Sequence, residues 1–402
     1  MNILLINPVH PATPHVSAVR AWRFAKGLAS LGHRALLLTA SRQGQPTPGI
    51  DALANHDWQQ PFILAVANIN EEAGLGARLP KLLHKARTAW RMLKHGGKLA
   101  GWTVSALRAT HGLSERFAPD VVWCTFGLME AVIVAKRIAS GAGCPWVLDI
   151  KDNWELYVPR GLRRLMAWRT RGWAALTANA RFAAEKARLW QGSEATVVYS
   201  GVDESFFARG EDVDKGEKTF CINLIGGVYF REHLESFLIG LGIWVDSLAP
   251  EQRSRIVVRY LGADGQLVGE VAQRCAPKIE ITRVGYLAAD RMAYYCRGAA
   301  VNAYIAHSGM FHQKFLELLA CGRPLMVYPV ESDESRDLAR QASGVLLEVS
   351  DSAQVSSKLA NLHRLWLSAP GQSASPDPVR LYSWVYQARV LEQVLANVVS
   401  RS

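Results

Sequence analysis

Residues 300–328 read AVNAYIAHSGMFHQKFLELLACGRPLMVY. A short apolar run, Ala300 to Ile305, leads into a loop of small residues, His307-Ser308-Gly309. Helical spacing then holds from Gln313 to Cys321 and stops at Gly322, and a Pro-led apolar run follows from Pro324 to Tyr328. The pattern predicts strand, helix, strand. Short uninterrupted apolar runs are what a parallel sheet buried on both faces requires, and parallel strands are joined by right-handed helical crossovers. Within the helix, Lys314 and Glu317 are three apart and share a face. Leu316, Leu318, Leu319 and Ala320 make that helix mostly core. A charged pair on a buried helix needs a ligand or further partners.

Working outward, the same alternation recurs. Residues 2–7, 34–39, 120–124, 146–150 and 195–199 read as strands, with helices over 18–31 and 128–140. Beyond a polar stretch from Asp203 to Thr219, strands are expected at 220–225, 256–261 and 279–284 as well as in the stretch quoted above. Helices are expected over 233–248, 268–275 and 290–297, and closing helices over 352–367 and 382–399. The fold class is therefore α/β, with two doubly wound Rossmann-like domains facing across a cleft, where ligands meet the carboxyl ends of the strands. The expected boundaries are 1–203 for the first domain, 204–219 for a linker about which the cleft closes, and 220–378 for the second domain. Residues 379–402 form a terminal helix packing back toward the first domain.

The first strand of the second half ends in Gly226-Gly227, with Val228-Tyr229-Phe230-Arg231 opening a helix. Glycines there let N–H groups approach an anion, the helix N-terminus adds partial positive charge, and Arg231 can clamp a phosphate. The pair is neither a Gly-x-Gly-x-x-Gly fingerprint nor a Walker P-loop. Tight strand-to-helix turns also use glycine for steric reasons alone.

Lys and Arg number 46 against 35 Asp and Glu, a net charge of +11. The excess sits in the first half. Residues 1–203 hold 25 basic and 13 acidic residues, and residues 204–402 hold 21 and 22. Two acid-free stretches, 78–114 and 160–171, supply much of it. In the first, Leu79, Leu82, Leu83, Ala86, Trp90 and Leu93 recur at helical spacing, with basic residues between them. Three readings follow: a solvated face on a core helix, a surface that docks on an anionic membrane, or a phosphate-backbone contact. No nucleic-acid-binding signature is present, so nucleic acid is not expected as a partner. The six cysteines are scattered, with no CxxC pair and no His/Cys cluster. That argues against a disulfide scaffold or a structural zinc and suits a reducing cytosol. The opening MNILLINPVH has no basic n-region, and no apolar run is long enough to span a bilayer. A cytoplasmic protein, peripheral at the inner face of the plasma membrane, is the expectation.

Residues 311–328 resemble the donor-site helix of family 4 glycosyltransferases of the GT-B fold, whose pattern is Pro-x-Lys-hydrophobic-x-Glu-x-x-Ala-x-Gly-x-Pro. Asp149-Ile150-Lys151-Asp152-Asn153-Trp154 resembles the Asp-Ile-Arg-Asp-x-Trp signature of a bacterial subgroup. Gly32-His33, Tyr199-Ser200-Gly201-Val202-Asp203, Gly285-Tyr286 and Tyr382-Ser383-Trp384 fit in the family's order, so the resemblance covers nearly the whole chain. It departs in three places. Gly309 stands where the family often has Glu, Pro14-His15-Val16-Ser17 replaces the early glycine-rich loop, and Trp123-Cys124-Thr125-Phe126 replaces a frequent His.

The resemblance implies a retaining, metal-independent transferase of the hexosyltransferase type, with a nucleotide-diphosphate sugar as co-substrate and no cofactor. Glu317 would accept hydrogen bonds from the ribose. Lys314, Arg231 and the N–H groups around Gly226-Gly227 and Ser308-Gly309 would hold the diphosphate, with Gly285 and Tyr286 near the base. Lys151 and Asp152 would face the sugar and a glycan or lipid-linked acceptor, in cell-surface polysaccharide, lipopolysaccharide or glycolipid synthesis. The rival readings are an inactive GT-B-like partner subunit, or a nucleotide-sugar epimerase or hydrolase.

Overall fold

Strand Val121–Phe126 is buried at every position, which demands cover on both faces. The computed structural model, which describes residues 1–13, 15–42, 48–68, 81–208, 219–307, 309–371 and 373–402, supplies that cover with helices. The chain divides into two units, Met1–Gly201 with Trp384–Ser402, and Val202–Ser383.

The first unit carries Asn2–Ile6 (β1), Arg34–Ala40 (β2), Phe62–Val66 (β3), Val121–Phe126 (β4), Trp146–Ile150 (β5), Ala175–Ala178 (β6) and Thr196–Val197 (β7). They form one parallel sheet in the order β3-β2-β1-β4-β5-β6-β7. Alternate residues of each strand feed different cores. Ile3, Leu5 and Trp123 meet Phe24 and Leu28 of the helix Val16–Ser30 and Leu391 and Leu395 of the C-terminal helix Trp384–Val399. Those two helices approach so closely at Gly27 that an added Cβ would lie 2.5 Å from the Cβ of Ala388. Leu4, Ile6 and Phe126 face the other core with Trp102 and Trp154.

The second unit carries Phe220–Ile225 (β8), Ile256–Leu261 (β9), Ile281–Arg283 (β10), Val301–Ile305 (β11), Leu325–Tyr328 (β12) and Leu346–Glu348 (β13). Their order, β10-β9-β8-β11-β12-β13, is also parallel throughout. The α/β class and the doubly wound pattern are as expected from the sequence.

Three strands, β3, β6 and β13, escaped the sequence reading. β6 (ALTA) and β13 (LLE) are too short to carry a period. The expected linker 204–219 also differs. Glu204–Phe207 forms a helical turn that buries Phe206 and Phe207 in the second unit, where Arg297 donates to the Ser205 carbonyl. Residues 209–218 lie outside the described residues. The second unit opens and closes at neighbouring positions, with Val202 N–H donating to the Tyr382 carbonyl at 2.8 Å. Its division points are thus 201/202 and 383/384 rather than 203 and 378.

Candidate functional site

In the second sheet the strand order reverses between β8 and β11, so the loops leaving these strands part and open a crevice at their carboxyl ends. Gly226, at the end of β8, has φ +86°, a conformation only glycine takes without strain. It also leaves room: a Cβ there would lie 2.8 Å from Lys314 Nζ. The turn is pinned from β9. Tyr260 Oη donates to the Gly226 carbonyl at 2.8 Å, and Asp264 Oδ2 accepts the Val228 N–H at 2.9 Å. The Gly226 N–H is donated to the Leu261 carbonyl. Two of the N–H groups expected to cradle an anion are therefore already engaged inside the protein.

Lys314, in the first turn of the helix Gln313–Ala320, reaches across the reversal point. Its Nζ lies 3.5 Å from the Ile225 carbonyl oxygen, 4.4 Å from the ring centre of Tyr304 and 6.0 Å from that of Tyr229. Burial pulls its pKa down to about 8, and the charges of Glu331 and Glu317 only partly restore it. Ring faces and one carbonyl stabilise an ammonium less than water does, so an arriving anion would regain much of that loss.

Beneath Lys314 lies a group of residues that the sequence reading missed. Glu331, after β12, is 2% exposed. It accepts from Tyr304 Oη, from His312 Nδ1 at 3.0 Å and from the Ser332 N–H at 2.9 Å. Burial opposes its charge, but the hydrogen bonds of His312, Tyr304 and Ser335 outweigh burial and hold its pKa below the usual value. The Tyr304 hydroxyl is pushed well up, first by burial and then by the charge of Glu331. His312 Nε2 accepts the His307 N–H at 3.1 Å. That leaves the ring proton on Nδ1, donated to Glu331. The dyad thus ties both ends of the β11 loop together, ahead of Lys314.

The other expected donor-site residues are placed as follows. Glu317 is half-buried on the Lys314 helix, and its charge acts on Lys314. Gly309 is exposed at φ +75° in the β11 loop, and Ser308 lies outside the described residues. Gly285 (φ +88°) and the 73%-exposed Tyr286 follow β10, the outer strand, at the same edge of the sheet. Arg231 does not join the Lys314 group: its Nε donates to Glu235 at 3.0 Å in an exposed pair that Arg274 shares. An i,i+4 partner on the same helix is the nearest carboxylate to it, and this helical geometry explains the difference from expectation.

The first unit reverses between β1 and β4. Asp149, on β5, is fully buried. Arg20 holds it bidentately at 2.9 and 2.7 Å, and Thr177 donates to it at 2.8 Å. The same guanidinium donates to Ser200 and packs on the ring of Phe24. Asp149 is therefore structural, and Arg20 is its unforeseen partner. Lys151 and Asp152, just beyond β5, pair with each other: Nζ lies 3.0 and 3.1 Å from the two carboxylate oxygens. The helical turn after them is capped by Asn153, not by Asp152. Asp152 Oδ2 occupies the space where a side chain at Gly127 would begin, 2.7 Å from its would-be Cβ.

His15 caps the helix Val16–Ser30 by accepting the Ser17 N–H on Nδ1. Burial and the charge of Lys151 lower its pKa, against the opposing charge of Asp152. Burial and Asp152 likewise raise the hydroxyl of Tyr157. His15, Lys151, Asp152 and Tyr157 therefore form one titratable group at the carboxyl edge of this sheet. The signal for His15 was its place in the stretch that departs from the glycine-rich loop. Glu331 had none, because its partners Tyr304 and His312 lie far from it in the chain.

Both units, then, present polar groups where an α/β sheet reverses, the place where open α/β sheets bind ligands. Residues 17–201 match the family profile of the glycosyl transferase 4-like domain. No curated protein matches the chain in sequence. In structure the chain is similar to sucrose-phosphate synthase from Thermosynechococcus elongatus at 15% identity and TM-score 0.69, with 100% of this chain and 99% of that chain covered. It is similar to Anabaena HepE in complex with UDP at 14% identity and TM-score 0.64, covering 99% and 100%. It is also similar to UDP-GlcNAc 2-epimerase from Neisseria meningitidis bound to UDP-GlcNAc at 12% identity and TM-score 0.56, covering 98% and 99%. The chain has the GT-B fold over its whole length, and within it residues 17–201 are similar to the glycosyl transferase 4-like domain.

Proposed function

We propose that the protein transfers a sugar from a nucleotide-diphosphate donor to a hydroxyl of a glycan or lipid-linked acceptor. The observation that carries this reading is Lys314, an ammonium set into the β8–β11 reversal against Gly226 with its charge disfavoured by burial. Such a group binds a diphosphate strongly and offsets the negative charge that grows on it as the sugar–oxygen bond breaks. Glu317, one turn on, accepts hydrogen bonds from the ribose diol. Gly285 and Tyr286 border the base, and Gly309 keeps the β11 loop free of side-chain bulk beside the phosphates. Arg231 joins them only by leaving Glu235.

In the first unit, Lys151 and Asp152 bind the acceptor and the transferring sugar. The family resemblance adds retention of configuration and independence of metal. It also adds a role in building cell-surface polysaccharide or glycolipid at the inner membrane face. HepE and the epimerase, which share the fold, were each obtained with UDP or a UDP-sugar, so UDP is the first donor nucleotide to try.

The epimerase likeness supports a second reading, inversion at a sugar carbon without an acceptor. The family match over residues 17–201 favours transfer. Thermal unfolding with UDP, GDP, ADP and dTDP, for the wild type and Glu317→Ala, tests the donor site. A ligand at a hundred times its Kd adds about 2.7 kcal/mol. One nucleotide should shift the wild type alone. The matching nucleotide sugar is then assayed, with and without a chelator, for transfer, hydrolysis and epimerisation. Epimerised donor without any transfer would install the second reading. No shift with any nucleotide would favour an inactive partner subunit.

A further inference from the structure

The two basic stretches of the first unit are far apart in sequence, and a third segment joins them. Helix Met129–Ala142 is bonded both to the end of helix Lys81–His95 and to the end of helix Arg163–Arg169. Arg137 donates to the Lys94 carbonyl at 3.4 Å, and Arg169 donates to the Leu93 carbonyl at 3.3 Å. Lys136 Nζ donates to the carbonyls of Arg169 and Arg171, each at 2.7 Å, where the helix dipole favours a cation. Residues 81–114, 131–148 and 160–184 contain no Asp or Glu. The sequence reading had not singled out Lys136 or Arg137.

Between helices Met129–Ala142 and Arg163–Arg169 lies a cavity of about 660 Å³. Val132, Ile133 and Met166 form its apolar part, and Lys136, Arg137 and Arg169 its cationic part. None of its lining residues belongs to the loops that carry Gly127, Lys151 or Asp152. Trp168, at its mouth, is 63% exposed, and Leu165 and Trp90 are exposed nearby. Lys94 Nζ sits 4.7 Å from the Trp90 ring centre. Cations around an apolar hollow, with tryptophans beside it, suit a ligand that is anionic at one end and apolar behind. Tryptophan and lysine both settle at the boundary between headgroups and acyl chains.

We propose that this cavity seats the headgroup of an anionic phospholipid and holds the first unit against a membrane surface. The phosphodiester lies among Lys136, Arg137 and Arg169. The glycerol and first acyl carbons lie on Ile133, which the fully buried Val132 and Met166 back, with Trp168 at the interface. A nucleic-acid backbone would use the cations and leave the apolar floor and the exposed indoles without a role. The inference shares the inner-membrane setting of the proposed function but needs neither donor nor transfer.

The test is flotation of the full-length protein with vesicles of phosphatidylcholine alone or mixed with phosphatidylglycerol. Binding should require phosphatidylglycerol and fall about tenfold or more in Arg137→Ala/Arg169→Ala. Because those guanidiniums also hold carbonyls, Ser140→Trp, an exposed position that fills the cavity and removes no charge, should weaken binding as strongly. Arg108→Ala, which removes a charge from the acid-free stretches but not from the cavity, should change it little. Dihexanoyl-phosphatidylglycerol below its micelle concentration should alter Trp168 fluorescence, read against Trp168→Phe, while inorganic phosphate should not. The proposal falls if Arg108→Ala weakens binding as much as Ser140→Trp, which would mean diffuse surface charge. It also falls if inorganic phosphate gives the same fluorescence change, or if duplex DNA or RNA is bound in preference to the vesicles. The nucleotide-induced thermal shift should be unchanged in Ser140→Trp, so failure here is separable from failure of the donor site.

Discussion

The two units share one strand order and treat charge at the reversal point in opposite ways. In the first, the strongly basic unit, the buried guanidinium of Arg20 is matched to Asp149, and Lys151 is matched to Asp152 within 3.1 Å. In the second, whose basic and acidic residues nearly cancel, Lys314 faces rings and a carbonyl and has lost basicity. Net charge therefore does not point to the lysine that burial perturbs. Surface arginines remain solvated and are worth little individually, whereas one ammonium short of solvation gains most from a ligand.

The sharpest break of this comparison is at Arg20 and Asp149. Asp149→Ala should cost about 3–5 kcal/mol, because removing one partner leaves a buried charge uncompensated. Urea unfolding of Asp149→Ala, Arg20→Met and the double variant checks it, and the double variant should recover part of the loss. Next is Lys314→Ala. It should leave unfolding nearly unchanged and abolish the nucleotide-induced stabilisation, about 2.7 kcal/mol at a hundredfold excess over Kd. If this variant unfolds like Asp149→Ala, Lys314 is structural and the contrast between the units disappears.

Gly226→Ala should cost about 1–2 kcal/mol from its left-handed backbone and should also weaken nucleotide binding, since the new Cβ meets Lys314 Nζ at 2.8 Å. The pH dependence is gentler. The Lys314 ammonium is present below its pKa of about 8 and lost above it, so nucleotide affinity should hold below that pH and fall as pH rises through it. A bound diphosphate raises this pKa, so affinity should fall by about tenfold per pH unit between the free and bound values, and the fall should vanish in Lys314→Arg. Titration calorimetry on either side of that pH reads both. The smallest effect is expected at Arg231. Arg231→Ala should leave stability unchanged by thermal unfolding and should weaken nucleotide binding far less than Lys314→Ala. An equal loss would show that Arg231 leaves Glu235 when the donor binds.

Much of this was legible in order along the chain. Runs such as Ile3 to Ile6, Val121 to Phe126 and Phe220 to Ile225 are long enough, and apolar enough, to name a buried parallel strand without any neighbour. Gly226 and Lys314 announced themselves as a glycine turn and a lysine on an apolar helix. Their meeting, 88 residues apart in the chain, did not. Asp149 and Asp152 look alike three residues apart, yet one is locked under Arg20 and the other lies beside Lys151 near the sheet's edge. A strand buries what its pleat turns inward, and the sequence does not say which helix will supply a guanidinium there.

The residues alone were enough for the α/β class, the two doubly wound halves, the lopsided charge and a lysine set on an apolar helix. All of these rest on local periodicity or on composition. That Glu331 and His312 stand beneath that lysine, and that Arg231 turns to Glu235, came only from the folded chain. It alone tied the end of the first basic stretch to the second through Arg137, Lys136 and Arg169, beside a cavity. Those are contacts between segments remote in sequence, set by how sheets reverse and helices pack, and no local pattern of residues records them.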